Sequence, residues 1–134
     1  MKNIFFAASI RGGRKEQPIY AHLVEELRRY GSVLNEHIAE EHLSLYGETG
    51  EESVHTRELA RLTKADVVVA EVTTPSLGVG FLLAHASQQK IPTLCVYKGT
   101  HTDLLSEMIQ GDPNFTIKTY TTPENLSIVL KEFF

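Results

Sequence analysis

Two glycine-containing segments carry side chains suited to binding an anion. The first loop, residues 9–14, reads Ser-Ile-Arg-Gly-Gly-Arg and directly follows an apolar run. Its glycines let the backbone turn and approach an anion closely, Ser9 offers a hydroxyl, and the planar guanidinium of Arg11 suits phosphate. The pattern is neither a Walker A loop nor a GxGxxG fingerprint. Taken alone, it fits a tight turn with two surface arginines about as well.

The second loop, residues 73–80, reads Thr-Thr-Pro-Ser-Leu-Gly-Val-Gly and opens a predicted helix. A helix N-terminus presents unpaired backbone N–H groups and the positive end of the helix dipole, so it attracts anions. We expect Ser76 and the amide of Gly78 to face the same crevice as the first loop. Convergence of two such loops favours phosphate binding over the alternative, in which the glycines serve only close helix packing.

Acid–base candidates are fewer and more ambiguous. Glu58 and His55 are three residues apart on a predicted helix, on a face that overlaps an apolar stripe. Glu58 either lies at the edge of that stripe or points into a site, and the edge position is favoured. His37, at the end of a predicted strand, is equally ambiguous. Cys95 lies inside a strand and indicates packing, and no His, Asp or Glu spacing is typical of a metal site.

Apolar runs alternate with helical patterns along the chain, and the strands and helices that they predict must position these residues. Such alternation is typical of βαβ units and a parallel sheet. We predict an α/β fold: a doubly wound, flavodoxin-like sheet of five parallel strands in the order 2-1-3-4-5, forming one domain over residues 1–134. The strands are predicted at residues 3–9, 32–36, 66–72, 92–97 and 115–120. The helices are predicted from Pro18 to before Gly31, after a cap at Ser53, and at residues 76–89, 102–110 and 123–134. Ligands of such folds bind where the strand order reverses, here between the first and third strands.

Composition narrows the class of protein. The chain has 134 residues and a formal net charge of −4, which disfavours binding to nucleic acid. Its single cysteine excludes an internal disulfide and a multi-cysteine zinc site. The apolar stretches are too short to cross a membrane, and no signal-peptide pattern is present, so we expect a cytoplasmic protein. The acidic stretch over residues 38–53 is predicted to be an exposed loop, with a mobile flap over the site as the alternative.

Several segments add to the two loops. They read LRRYG at 27–31, VL and EH at 33–34 and 36–37, ADVVVAEVT at 65–73, and LS and MI at 105–106 and 108–109. Together they make the sequence resemble, nearly end to end, the 2'-deoxynucleoside 5'-phosphate N-hydrolases of the nucleoside 2-deoxyribosyltransferase superfamily. The resemblance implies a homodimer with a nucleoside deoxyribosyltransferase-like fold. It also implies cleavage of the N-glycosidic bond of deoxynucleoside monophosphates to free base and 2-deoxyribose 5-phosphate, without a metal or other cofactor.

The family's binding residues can be placed by position in this sequence. The resemblance implies phosphate contacts from Ser9, Arg11, Ser76 and Gly78, with Ser106 contributed across the dimer, and contacts on the base and sugar side from Ile10 and His37. The ligand expected from these contacts is a nucleoside 5'-monophosphate or deoxyribose 5-phosphate.

The implied catalytic positions depart from the family pattern. Leu82 stands where the family has its nucleophilic Glu, Phe5 replaces a Tyr, and Glu58 replaces an Asp. Cleavage passes through an oxocarbenium-like state that needs a carboxylate at the anomeric carbon, and leucine has neither charge nor lone pairs. Three hypotheses follow: a rearranged hydrolase in which Glu58 substitutes for the missing Glu, a nucleotide-binding homologue without turnover, and an inactivated form of the enzyme.

Overall fold

The computed structural model describes residues 1–40 and 53–134, and within these ranges five parallel strands form one sheet in the order β2-β1-β3-β4-β5. The predicted fold class and strand order are therefore confirmed. The strands are β1 (Lys2–Ala7), β2 (Gly31–Val33), β3 (Val67–Glu71), β4 (Thr93–Lys98) and β5 (Phe115–Tyr120). The helices are α1 (Gln17–Leu27), α2 (Val54–Thr63), α3 (Leu77–Gln88), α4 (Glu107–Gln110) and α5 (Pro123–Phe133), with a 3₁₀ helix over Glu36–Ala39.

Both faces of the sheet are buried, which explains the continuous apolar runs in its strands. On β1, Ile4 and Phe6 point to one face and join a core cluster with α1 and α5. Phe5 and Ala7 point to the other face and join a cluster with α2 and α3. The central strands are thus held between two helical layers.

The reversal of strand order lies between β1 and β3, which pair directly, with Phe5 opposite Val68 and Ala7 opposite Ala70. Because these strands are parallel and in register, their carboxyl ends lie side by side. The first and second loops leave the sheet from these two ends. The fold therefore brings together residues that are far apart in the sequence.

The second strand is shorter than the predicted range of residues 32–36, because β2 ends at Val33. The buried side chain of Asn35 takes over the pairing with β1. Its Oδ1 accepts the Phe6 N–H at 2.9 Å, and its Nδ2 donates to the Phe6 carbonyl oxygen at 2.5 Å. Since one side chain satisfies both backbone groups of Phe6, the chain can turn away into the 3₁₀ helix.

Two further predictions need correction. The helix predicted over residues 102–110 covers only α4, because Gln110 Nε2 donates to the carbonyl oxygens of Thr102 and Leu105, which closes the preceding segment as a turn. In the acidic stretch predicted as an exposed loop, Ile38 and Ala39 are buried, so that interpretation is wrong at its start. Residues 41–52 of the stretch lie outside the described residues.

A search of the helices in residues 1–40 and 53–134 finds none with the length and apolar character needed to span a membrane.

Candidate functional site

The two loops meet at Gly12. A Cβ atom there would overlap the carbonyl oxygen of Pro75, and it would lie 2.8 Å from Ser9 Oγ and 3.3 Å from Ser76 Cα. Only a residue without a side chain permits this approach. The neighbouring Gly13 has a φ of +124°, which other residues rarely adopt. The predicted convergence of the two loops is therefore present.

Ser9 begins the first loop and is only 1% exposed. Among the described residues, its Oγ has no hydrogen-bond partner. A buried hydroxyl left without a partner costs about 1–3 kcal/mol. A ligand oxygen bound beside Gly12 would accept a hydrogen bond from the Ser9 hydroxyl and remove that cost.

The second loop supplies the N-terminus of α3. The hydroxyl of Ser76 caps this helix by accepting the Val79 N–H at 3.2 Å. A serine hydroxyl that accepts one bond still has its own proton to donate. Among the described residues, a Cβ on Gly78 would meet only Ser76 Oγ, at 3.9 Å, and one on Gly80 would meet nothing within 4 Å. The alternative that these glycines serve close helix packing is therefore wrong.

A cavity of ≈ 1280 Å³ opens beside both loops. This volume is ample for a mononucleotide, since small-molecule sites commonly occupy about 300–1,000 Å³. Ser9 and His37 are not part of its wall, which includes the other residues that the resemblance placed at the site: Phe5, Ile10, Arg11, Glu58, Ser76, Gly78, Leu82 and Ser106. Ser106 belongs to the same wall from its place just before α4, where it is exposed. Sequence reasoning missed Asn35, Thr73 and Asp112, which also line the cavity.

Phe5 and Leu82, for which the resemblance implies substituted catalytic positions, both lie on the cavity wall. Phe5 is fully buried on β1, and Leu82 is partly buried on α3. Neither side chain carries a polar atom. Over this part of the wall, the cavity offers a substrate only apolar contact.

Glu58 does not lie at the edge of an apolar stripe, as the sequence favoured, because it is 9% exposed and lines the cavity. Two side chains lie beside its Oε1: Arg61 Nη1 donates to it at 3.2 Å, and His37 Nε2 lies 3.7 Å away. His37 therefore approaches the cavity through Glu58, since it is not itself part of the wall. An Arg one helical turn beyond a Glu also occurs on exposed helix faces, so the sequence held no signal for the inward position.

The remaining candidates make other contacts, although His55 also lines the cavity. Arg14 donates through Nη2 to the carbonyl oxygens of Ile38 at 2.7 Å and Glu40 at 2.6 Å. It therefore ties the first loop to the 3₁₀ helix, so its description as a surface arginine is wrong. His55 is exposed and packs edge-on against the Phe81 ring, with centroids 5.6 Å apart.

Cys95 is fully buried on β4. Burial raises the pKa of its thiol to about 12, so it stays protonated and unreactive at neutral pH. Within the described residues, no three His, Cys, Asp or Glu side chains are grouped so as to hold a metal ion.

With the fold and the cavity described, comparison with known proteins places the chain. Residues 4–126 match the sequence profile of the family described as nucleoside 2-deoxyribosyltransferase. The chain belongs to this family, and the resemblance seen in the sequence is confirmed.

Its relatives include N-hydrolases of nucleotides. The chain is 48% identical over 112 residues to the 5-hydroxymethyl-dUMP N-hydrolase of Mus musculus, an alignment that covers 81% of this chain and 65% of that protein. It is 42% identical over 137 residues to the Danio rerio protein of the same name, covering 98% and 95%. It is 40% identical over 142 residues to a putative 2'-deoxynucleoside 5'-phosphate N-hydrolase 1 of Nematostella vectensis, covering 99% and 94%. The chain thus spans slightly less than two thirds of the mouse protein and nearly all of the other two.

Solved structures share the fold. The CMP N-glycosidase of Clostridium botulinum superposes with a TM-score of 0.71 at 16% sequence identity, covering 99% of this chain and all of that one. This likeness supports the doubly wound architecture.

Proposed function

We propose that this protein binds a 2'-deoxynucleoside 5'-monophosphate in the cavity and hydrolyses its N-glycosidic bond, releasing free base and 2-deoxyribose 5-phosphate. The observation that carries the proposal is the buried Ser9 hydroxyl, unpartnered among the described residues where the two loops meet. The relatives that share the chain's family act, by their names, on deoxynucleoside 5'-monophosphates. A phosphate bound beside Ser9 is consistent both with the unpartnered hydroxyl and with the substrates for which the relatives are named.

Each proposed phosphate contact supplies a donor. Ser9 and Ser76 donate through their hydroxyls, Gly78 through its backbone N–H at the start of α3, and Arg11 through its guanidinium. The positive end of the α3 dipole adds to the attraction for a dianion. With the phosphate held there, the sugar and base extend into the cavity, toward Ile10 and the Glu58–His37 pair.

The chemistry requires a carboxylate near the anomeric carbon, because the departing base leaves positive charge on the sugar. Among the described residues that line the cavity, the acidic side chains are Glu58 and Asp112. Glu58 is the better candidate, since it is largely buried and both Arg61 and His37 fix its position. In this proposal Glu58 takes the place of the Glu that Leu82 replaces.

A second candidate function is nucleotide binding without turnover. The apolar side chains of Leu82 and Phe5 on the cavity wall favour it, because loss of a nucleophile costs several powers of ten in rate. Binding would survive this loss, since none of the proposed phosphate contacts involves either residue.

Incubation with deoxynucleoside 5'-monophosphates, followed by chromatography of the free base, separates the two functions. Hydrolysis by this chain predicts base release that Glu58→Ala abolishes and that the matched variant Asp112→Asn retains. Binding in calorimetry without release in any of these proteins would establish the silent homologue instead. Leu82→Glu then tests the site, because appearance of hydrolysis in that variant shows that the reacting centre lacks only its carboxylate. Absence of both binding and release would refute the proposal.

We also propose a homodimer. Four exposed apolar side chains line the cavity beside α3 and α4: Leu77, Phe81, Leu104 and Met108. Exposed apolar groups that cluster are typical of interfaces. Leu83, on the same helix, is 1% exposed and belongs to the core instead. In the dimer, Ser106 of one protomer would reach the phosphate bound by the other.

Light scattering coupled to gel filtration tests the dimer. Leu77→Asp should halve the molar mass, because it buries a charge in the interface. The control Ile128→Asp changes an exposed apolar residue on α5, beyond the opposite face of the sheet, and should leave the mass unchanged. A monomeric wild-type protein would refute the dimer.

The proposed cellular site is the cytoplasm. The lone cysteine is buried and unpaired, as is common in a reducing compartment. The proposed substrate class belongs to nucleotide metabolism.

A further inference from the structure

A second group of polar side chains surrounds a buried carboxylate at the carboxyl ends of β3, β4 and β5. Its centre is Glu71, the last residue of β3, which is 1% exposed. The Glu71 side chain does not line the cavity, and no step of the proposed reaction uses it. A buried carboxylate is costly, so the hydrogen bonds that hold it indicate what it does.

Glu71 accepts three hydrogen bonds. Its Oε1 accepts the Thr73 N–H at 2.6 Å, and its Oε2 accepts the Thr73 hydroxyl at 2.8 Å. The Tyr120 hydroxyl, at the end of β5, donates to the same Oε2 at 2.5 Å. Two of the three bonds therefore fix the residue with which the second loop begins.

Thr73 is also bonded to the neighbouring strand, because its Oγ1 accepts the Lys98 N–H at the end of β4, at 2.9 Å. The side chain of Lys98 pairs in turn with the buried Glu16, at 3.2 Å. The start of the second loop is thus anchored to three strand ends rather than to β3 alone.

Two and three residues after Thr73, the same loop makes the contact on which the proposed site depends. Pro75 and Ser76 lie against Gly12 with no room for a side chain, and Ser76 begins the helix that presents Gly78. A change in the direction in which the chain leaves β3 would move these residues relative to the first loop.

From these contacts we infer that Glu71 is a positioning residue. It orients the second loop through Thr73, so that Ser76 and Gly78 face the first loop at the distance that one phosphate group requires. Tyr120 supports this role by holding the carboxylate in place. The inference rests on the proposed phosphate site, and it adds to that site two residues that do not touch the ligand.

The test compares a deoxynucleoside 5'-monophosphate with its parent nucleoside, which lacks the phosphate. Glu71→Gln offers one acceptor oxygen to three donors, so one donor must face the new amide group. Its affinity for the monophosphate should fall on the order of tenfold, whereas its affinity for the nucleoside should change less than about twofold. Tyr120→Phe removes only the outer hydrogen bond and should give a smaller loss of the same kind. It also keeps the test decisive should Glu71→Gln fail to fold.

Glu26→Gln is the matched control, because Glu26 is another buried carboxylate, near the end of α1 and paired with Arg29. It should bind both ligands as the wild-type protein does. Backbone amide NMR of the ligand-free protein supplies a second readout, in which Tyr120→Phe should shift the Ser76 and Gly78 resonances.

Wild-type affinity for the monophosphate in both Glu71→Gln and Tyr120→Phe would overturn the inference. So would an equal loss for the monophosphate and the nucleoside, which indicates a general structural role. A wild-type protein with no preference for the monophosphate would instead refute the proposed function, and this result is distinguishable from the other two.

Discussion

Gly12→Ala offers the most direct test of the contact between the two loops. The added Cβ would overlap the Pro75 carbonyl oxygen and lie 2.8 Å from Ser9 Oγ. Non-bonded carbon atoms settle at about 3.5 Å or more from their neighbours, so the Pro75 carbonyl oxygen, and with it the second loop, must move away from Gly12 by about 1 Å. We expect overpacking of this kind to lower the free energy of unfolding by about 1–3 kcal/mol.

The effect on binding follows from the same displacement. Hydrogen bonds of about 2.8 Å to a phosphate held by both loops would lengthen beyond the useful range. Loss of one bond to a charged group costs about 1.5–3 kcal/mol. The affinity for a deoxynucleoside 5'-monophosphate should therefore fall by about 10- to 100-fold.

Calorimetry at a temperature where the variant is folded measures this loss. Gly80→Ala is the matched control, because a Cβ there meets nothing within 4 Å in the part of the chain that the structure describes, and alanine favours the helix by up to about 1 kcal/mol. Unchanged affinity in folded Gly12→Ala would show that the phosphate does not bind between the loops.

Three further predictions concern buried polar groups. Asn35→Ala leaves the N–H and carbonyl of Phe6 without their partner, so urea unfolding should show a loss of about 2–4 kcal/mol; a loss below about 1 kcal/mol would contradict the assigned pairing. Burial raises the pKa of Glu71 above its ordinary value, an effect that the hydrogen bonds from Tyr120 and Thr73 only partly offset. The stability linked to Glu71 is therefore complete below about pH 4.5 and is lost as pH rises through the folded-state pKa; a series of urea titrations should show this decline, and Glu71→Gln should flatten it. Cys95 should resist iodoacetamide at pH 8 in the folded protein and react after unfolding, because burial raises its pKa to about 12; modification at equal rates in both states would refute its burial.

The sheet was predictable because its strands are buried on both faces and read as unbroken apolar runs. The end of β2 was not, since nothing in the pattern shows that the Asn35 amide replaces backbone pairing. The start of α4 was missed for a similar reason, because the Gln110 side chain closes the turn before it. Periodicity reports burial, whereas these boundaries depend on individual side-chain hydrogen bonds.

The candidate site shows the same division. The two loops were predictable from glycine, serine and the position of a helix start, which are local signals. The inward position of Glu58 was not, because it depends on Arg61 and on His37 from another element. The role inferred for Glu71 depends on Tyr120, which is distant in the sequence and comes close only in the folded sheet.

The contact between Gly12 and Pro75 has a consequence for the order in which the chain folds. In the described part of the chain, α1, β2, the 3₁₀ helix, α2 and β3 lie between these residues, so the two halves of the proposed phosphate site meet only after β1 and β3 have paired. Long-range closure of this kind is slow compared with local helix formation. Binding of a fluorescent mononucleotide added during refolding would report when the two loops meet. At saturating concentration the same ligand would stabilise the folded protein by mass action.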